Sequence, residues 1–164
     1  TGVHIGKYRT GGDLAGLISE ILINTDISQI RLSSLKPTEF SDRLLELIAH
    51  ETRICPHFHL SIQSGDDRIL ANMNRHYPSS VTTETIKRLL AIRPDSTIGA
   101  DFIVGFPGET EAQFNNTLAM VENNPIHHLH VFGYSDRPGT PASDFPNKID
   151  PLEKSQCPAR REID

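Results

Sequence analysis

The sequence predicts an α/β fold in which parallel strands and helices alternate and the sheet curves into a partial (β/α) barrel. Short β-branched or apolar runs alternate with helical patterns along the chain, and strands joined by single helices form right-handed βαβ units. Several strands carry one apolar and one polar face, whereas the central strands of a doubly wound sheet are apolar on both. A barrel with a polar lumen and helices outside accounts for this pattern.

Helices are predicted where apolar residues recur every three or four positions. Leucine and isoleucine form such a stripe near the start of the chain, and Thr110 with Gln113 has the spacing of a capping box before a later one. The predicted helices span residues 12–24, 41–50, 66–73, 80–92 and 110–122.

Strands are predicted over residues 27–32, 57–63, 97–104 and 127–132. In the last three, polar and apolar residues alternate with the period of two that a half-buried strand requires. Asp101 therefore lies opposite Phe102, and His130 lies opposite Val131. A loop rich in proline, glycine and serine follows over residues 135–146.

Size, charge and cysteine content narrow the class of protein. The 164 residues suffice for one domain with a sizeable core, and the net charge of −5 argues against a broad nucleic-acid-binding surface. No apolar run approaches the length of a membrane span, and signal-peptide features are missing. Two cysteines, Cys55 and Cys157, cannot alone hold a cysteine-ligated cluster. We expect a cytoplasmic protein, and a start at Thr1 without methionine indicates a piece of a longer chain.

Three polar residues near predicted strand ends are candidates for ligand binding. Gln63 and Arg75 could clamp a carboxylate, or Arg75 could neutralise an acid such as Asp66. Asp101 could accept hydrogen bonds from ribose hydroxyls, or it could pair with Arg75. The glycine-proline turn after Asp101 precedes a capped helix, but no Lys-Ser or Lys-Thr follows its glycines, which excludes a P-loop.

Histidine pairs raise a metal hypothesis. His57 with His59, and His128 with His130, each put two imidazoles on one strand face, as in metal-dependent barrel hydrolases. No HExxH helix or matching carboxylate set accompanies them. Structural or substrate-contacting roles are therefore favoured, and no metal ligand is predicted.

Five motifs occur in order along residues 1–145. They are residues 31–37, 54–65, 73–75, 101–110 and 134–142. Together they resemble the methylthiotransferases of the radical S-adenosylmethionine superfamily. Residues 128–132 most resemble the bacterial branch that modifies threonylcarbamoyladenosine in tRNA, with isopentenyladenosine and ribosomal-protein branches as near relatives.

The resemblance implies that the chain is a fragment of a radical SAM (β/α)6 barrel, with S-adenosylmethionine lying across the strand ends. It implies eight contacts to that cofactor. They are Gln63 and Arg75 at the methionine carboxylate, Asp101 and Ser34 at the ribose, Gly105, Phe132 and Tyr134 around the adenine, and Gly2 at the amino group.

The resemblance also implies iron-sulfur clusters in the full-length parent, one of which delivers the electron that splits S-adenosylmethionine. Its Cys-x-x-x-Cys-x-x-Cys motif does not occur in these residues, so no catalytic residue is predicted here and the piece alone is expected to be inactive. Residues 1–145 would be a partial barrel lacking the cluster-binding part, and residues 146–164 would lead to an RNA-binding domain. The substrate would be a tRNA adenosine, with the sulfur and electron donors unassigned. The alternatives are a ribosomal-protein substrate and a non-catalytic nucleotide-binding module.

Overall fold

The computed structural model describes residues 12–148. Its strands are β1 (Ile30–Leu35), β2 (Ile54–Gln63), β3 (Thr97–Val104) and β4 (His128–Gly133). Its α-helices are α1 (Leu14–Asn24), α2 (Asp42–His50), α3 (Asp67–Asn72), α4 (Ser79–Ile92) and α5 (Glu111–Glu122). Short 3-10 helices, Pro37–Glu39 and Pro141–Asp144, follow β1 and β4.

The four strands form one parallel sheet in the order β1-β2-β3-β4. A doubly wound sheet reverses its strand order at a switch point, whereas every crossover within this sheet steps in the same direction. The predicted α/β fold is therefore confirmed, and the sheet is that of a partial (β/α) barrel.

The helix side of the sheet forms the hydrophobic core. Phe58, Leu60 and Ile62 of β2, with Ile98 and Phe102 of β3, are at most 1% exposed. Burying a side chain of this kind contributes about 1.5–3 kcal/mol relative to leaving it exposed. The outer layer holds together because α2 contacts both α1 and α4.

The opposite side of the sheet is polar, and we call it the lumen face. Its members are His57, His59, Ser61 and Gln63 on β2, Thr97, Gly99, Asp101 and Ile103 on β3, and His128, His130 and Phe132 on β4. Asp101 is half-buried here while its neighbour Phe102 enters the core. The alternation predicted for β2 and β3 is confirmed.

Three of the five predicted helix starts, at residues 41, 66 and 110, turn out to be N-caps, and Asp13 caps the first helix. The side chains of Asp13, Ser41, Asp66 and Thr110 each accept hydrogen bonds from backbone N–H groups of the first turn that follows. These residues lie one position before the helices they begin. None of the helices in residues 12–148 is long and apolar enough to cross a membrane.

The first two strands differ from the predicted bounds. β1 begins at Ile30, where its N–H donates to the Arg53 carbonyl at 2.7 Å, and it continues to Leu35. The prediction placed it three residues too early because the apolar Ile27 precedes it, and Ile27 is 43% exposed. β2 begins at Ile54 and contains Pro56, which has no N–H to donate, and the register of β1 against β2 shifts around it.

Candidate functional site

Two predicted site residues have strained backbones at the carboxyl ends of strands. Gln63, the last residue of β2, has φ 80°, and Ser34, next to the last of β1, has φ 59°. Such left-handed conformations cost a non-glycine residue on the order of 1–3 kcal/mol and concentrate at functional sites. The pairing of β2 with β3 also shifts register between Leu60 and Gln63. The chain therefore changes direction where a parallel sheet binds its ligands.

A cavity of about 500 Å³ opens at this edge of the sheet. Four of the eight predicted cofactor contacts line it, namely Gln63, Asp101, Phe132 and Tyr134. The other lining residues are Ile103, Gly133, Ser135, Arg137, Thr140 and Ala142. The Phe132 ring is 53% exposed, which is unusual for a large apolar side chain and leaves its face open to a planar ligand. The cavity combines an amide, an acid and two aromatic rings.

The turn after β3 is closed by a half-buried acid, Glu109. The Gly105 N–H donates to Glu109 Oε2 at 2.6 Å, and Gly105 itself has φ 71°, which a side chain would oppose. Glu109 Oε1 is buried and has no hydrogen-bond partner in the described part of the chain. Burial raises the pKa of the Glu109 carboxyl, and bonds from the Gly105 and Phe106 N–H groups oppose that rise. Gly105 thus shapes the turn without lining the cavity.

The same turn is tied to the loop after β4. The rings of Phe106 and Tyr134 meet edge to face with centroids 5.2 Å apart, and Phe106 also contacts Phe145. Phe106 lies within residues 105–108, which the resemblance puts beside the adenine, whereas sequence reasoning gave Glu109 no role, although an acid that follows a Gly-Phe-Pro-Gly turn is the available signal. The packing of Phe106 against Tyr134 and Phe145 does not involve Glu109. This ring packing positions one wall of the cavity.

Arg75 lies in a neighbouring cavity. Its Nη1 donates to the Ser61 carbonyl of β2 at 3.2 Å, and its side chain lines a cavity of about 600 Å³. That cavity is also bordered by Lys36, Glu39, Asn74 and Tyr77. The structure therefore brings Gln63 and Asp101 together in one cavity and puts Arg75 in another.

Neither Asp66 nor Asp101 forms an ion pair with Arg75 in residues 12–148. Asp66 Oδ1 accepts from the N–H groups of Arg68 and Ile69, and its Oδ2 accepts from the Asn116 amide at 2.8 Å. Asp101 likewise pairs with histidines and not with Arg75. Of the remaining predicted contacts, Ser34 is exposed outside both cavities, and Gly2 lies outside the described residues.

The histidines of the lumen face form two layers. In one, His59 Nε2 lies 2.8 Å and His130 Nδ1 lies 3.3 Å from the same atom, Asp101 Oδ1. In the other, two residues earlier on β2 and β4, His57 Nδ1 lies 2.8 Å from Thr97 Oγ1. The ring centroids of His59 and His130 are 5.0 Å apart, whereas those of the earlier pair are 6.1 Å apart. Sequence alternation predicted the paired faces but not their convergence on Asp101.

The two layers also differ electrostatically. Burial lowers the pKa of His57, and the nearby positive charges of Arg31 and His128 lower it further. Thr97 offers that layer a neutral hydroxyl, while Asp101 offers the other a carboxylate.

Comparison with known sequences decides the family. The family model described as Radical SAM superfamily matches residues 10–121. The chain belongs to this superfamily. The match includes β1, β2 and β3, with the Gln63 end of β2 and the Glu109 turn.

Individual relatives confirm the resemblance to methylthiotransferases. Threonylcarbamoyladenosine tRNA methylthiotransferase MtaB of Rickettsia prowazekii (strain Madrid E) is 41% identical over 99% of this chain and 40% of its own length. The protein of that name in Treponema pallidum (strain Nichols) is 43% identical over 91% of this chain and 31% of its own length. tRNA-2-methylthio-N(6)-dimethylallyladenosine synthase of Coxiella burnetii (strain Dugway 5J108-111) is 42% identical over 84% of this chain and 31% of its own length. The chain thus spans less than half the length of these relatives.

The superfamily implies S-adenosylmethionine and an iron-sulfur cluster, and the residues of this chain fit only the first. The cavity at the ends of β2, β3 and β4 lies within the size range of small-molecule sites and offers polar and aromatic groups. A cluster with a Cys-x-x-x-Cys-x-x-Cys ligand set cannot be held by Cys55 and Cys157. No step of the chemistry is therefore assigned through a cluster on these residues.

Proposed function

We propose that this chain is the cofactor-binding part of a tRNA-modifying radical SAM methylthiotransferase and that it holds S-adenosylmethionine in the cavity at the carboxyl ends of β2, β3 and β4. The observation that carries the proposal is the shared cavity of Gln63, Asp101, Phe132 and Tyr134 within a chain of this superfamily. In a full-length enzyme whose cluster delivers one electron to it, the bound cofactor would supply the 5′-deoxyadenosyl radical. The chain's own residues bind it and orient it.

Each side chain suits one part of the cofactor. Asp101 Oδ1 is engaged by two imidazoles, which leaves Oδ2 to accept hydrogen bonds from ribose hydroxyls. The Gln63 amide can donate to a carboxylate, and its strained backbone fixes the direction of that donor. Phe132 and Tyr134 provide apolar ring surface for the adenine.

Four further contacts belong to the same proposal. Arg75, held at the Ser61 carbonyl, retains other N–H groups that could reach the methionine carboxylate from the neighbouring cavity. Gly105 shapes the turn beside the adenine, and Ser34 and Gly2 are assigned by their motifs alone. We assign catalysis to no residue of this chain.

The substrate is proposed from the relatives' names. Several of them are named for modification of threonylcarbamoyladenosine in tRNA, which makes an adenosine of cytoplasmic tRNA the proposed target. The net charge of −5 does not favour RNA binding by this chain itself, so we assign RNA binding and the cluster cysteines to other parts of a longer protein. Residues 1–145 would form its partial barrel, and residues 146–164 would lead toward the RNA-binding domain.

Cofactor binding is tested by isothermal titration of S-adenosylmethionine into the 164-residue chain and into the full-length protein. Gln63→Ala and Asp101→Ala should each weaken binding by about 1.5–3 kcal/mol, the range for hydrogen bonds to charged groups. Lys87→Ala, an exposed change on α4, is the control and should leave affinity unchanged. Equal affinity in all three variants would exclude this cavity as the cofactor site.

Substrate assignment is tested by mass spectrometry of tRNA nucleosides from cells that lack the gene. Complementation with the full-length gene should restore a methylthio nucleoside, and the 164-residue chain should not. A deletion strain that keeps every methylthio nucleoside but loses a methylthio group from a ribosomal protein would move the assignment to the ribosomal branch.

A further inference from the structure

We propose that His59, Asp101 and His130 form a binding site for one divalent transition-metal ion, with Zn²⁺ the best fit. The site lies on the lumen face, and its carboxylate also borders the proposed cofactor cavity. The inference goes beyond the proposed function and is independent of it, because it rests on these three side chains alone.

The distances suit simultaneous ligation. One ligand atom from each residue lies within 4.8 Å of the other two, with His59 Nε2 at 2.8 Å and His130 Nδ1 at 3.3 Å from Asp101 Oδ1. Ligands about 2.0–2.1 Å from a tetrahedral zinc ion lie about 3.3 Å from one another. Small side-chain adjustments therefore bring the three atoms to coordination distance.

The strand register holds the ligands in place. Asp101 pairs directly with His130 across β3 and β4, and His59 lies on β2 opposite Gly99. The missing side chain of Gly99 matters here, because an added Cβ would lie 2.6 Å from His59 Nδ1. The glycine lets the imidazole lie across β3 so that its other nitrogen faces Asp101. Three neighbouring strands thus each supply one ligand.

The alternative is that the two histidines only donate hydrogen bonds to Asp101, and this explains part of the arrangement. Charge-assisted N–H···O bonds are about 2.7–2.9 Å long, and the His59 contact satisfies that range. The His130 contact, at 3.3 Å, is longer and converges on the same oxygen, not on the other one. Two imidazole nitrogens and one carboxylate oxygen that lie within 4.8 Å of one another can surround a single metal ion.

The donor set selects the class of ion. Two imidazoles and one carboxylate suit Zn²⁺ or Fe²⁺, whereas Mg²⁺ and Ca²⁺ prefer oxygen ligands. Three protein ligands leave a position for water or for an oxygen of a bound molecule. Asp101 borders the cavity, so that position lies close to where a ligand would enter.

The second histidine layer provides a matched control inside the same fold. His57 and His128 occupy the same strands and face, but Thr97 replaces the carboxylate and the rings are farther apart. If the metal ion binds to Asp101 and its two histidines, a change of His130 must weaken metal binding and a change of His128 must not.

The test titrates Zn²⁺ and Co²⁺ into chelator-treated 164-residue chain by calorimetry and absorption spectroscopy. We expect one equivalent of tight binding and a Co²⁺ spectrum without thiolate charge transfer. His130→Ala and Asp101→Asn should each weaken Zn²⁺ binding about tenfold or more, and His128→Ala should change it by less than about twofold. The His130 side chain is 59% exposed, so its variant should stay folded, which circular dichroism verifies.

Three results would overturn the proposal. They are the absence of stoichiometric binding by the wild-type chain, equal weakening in the His128 and His130 variants, and a thiolate charge-transfer band that assigns the ion to cysteine.

Discussion

The Gly65 N–H donates to Thr117 Oγ1 at 2.9 Å, and the Thr117 backbone lies too close to leave room for a Cβ on Gly65. This contact docks the loop after β2 onto α5. Ser64 Oγ lies 3.2 Å from the same hydroxyl, so a buried threonine satisfies two polar groups of the loop. The carboxyl end of β2, where Gln63 faces the cavity, is thereby fixed to the helix layer.

We predict that Gly65→Ala destabilises the chain. A Cβ at this position would lie 2.7 Å from both the Asn116 carbonyl oxygen and Thr117 Cα, which are backbone atoms that cannot move aside cheaply. Overpacking of this kind costs about 1–3 kcal/mol. Urea unfolding measures it, with Gly133→Ala as control, because a Cβ there meets nothing within 4 Å. Equal stability of both variants would contradict the docking role.

The half-buried Glu109 carboxyl gives a pH-dependent prediction. Its folded-state pKa is raised by burial, so the unfolded chain loses this proton first as pH rises above about 4.3, the usual glutamate pKa. The contribution of Glu109 to folding is therefore present in acid and is lost as pH rises toward the folded pKa. Glu109→Gln should gain stability relative to wild type between pH 4.5 and pH 7, as measured by urea unfolding at both values.

The control for that comparison is Glu111→Gln, which removes an exposed carboxylate from the first turn of α5. It changes the net charge equally but leaves the half-buried acid in place. A constant difference between wild type and Glu109→Gln across this pH range would show that the Glu109 pKa is not raised.

Variants of Arg75 distinguish a role in cofactor binding from a role in stability. In the full-length protein, Arg75→Ala should weaken S-adenosylmethionine binding by about 1.5–3 kcal/mol, and Arg75→Lys should recover only part of it because an ammonium cannot replace a planar fork. Titration calorimetry and urea unfolding on the same variants distinguish the two roles. Lost stability with unchanged affinity would leave Arg75 as a support for the Ser61 carbonyl alone.

Iron-sulfur reconstitution tests the assignment of the cluster outside this chain. After anaerobic treatment with iron and sulfide, the 164-residue chain should show no charge-transfer absorption, because Cys55 and Cys157 cannot supply three thiolates. The full-length protein, treated identically, is the positive control. A stable cluster ligated by the 164-residue chain would contradict the assignment.

The features of this fold that depend on residues close in sequence were predicted from the sequence. Period-two alternation assigned Asp101 and Gln63 to one face because side-chain direction follows directly from strand geometry. Apolar periodicity, with a capping box at Thr110, predicted the helix starts to within two residues. The start of β1 was predicted too early because the hydrophobicity of Ile27 does not report that pairing with β2 begins only at Ile30.

The geometry of the candidate site was harder to predict because it depends on contacts between residues far apart in sequence. The convergence of His59 and His130 on Asp101 requires the register of three strands, which no single segment encodes. The same holds for Arg75, whose reach to Ser61 depends on how the chain after α3 folds back on β2. The Glu109 carboxyl was overlooked because its burial is created by the turn that it closes.

The two histidine layers show that the chemistry at each level of the lumen face is set by the residues at that level. Side chains on this face repeat every second residue, so exchanging one residue changes the chemistry at one level while the helix-packed core on the other face stays intact. A neutral level lies beside a charged one because threonine stands at position 97 and aspartate at position 101. Such a scaffold can acquire, lose or move a polar centre along its axis by single substitutions, without repacking its interior.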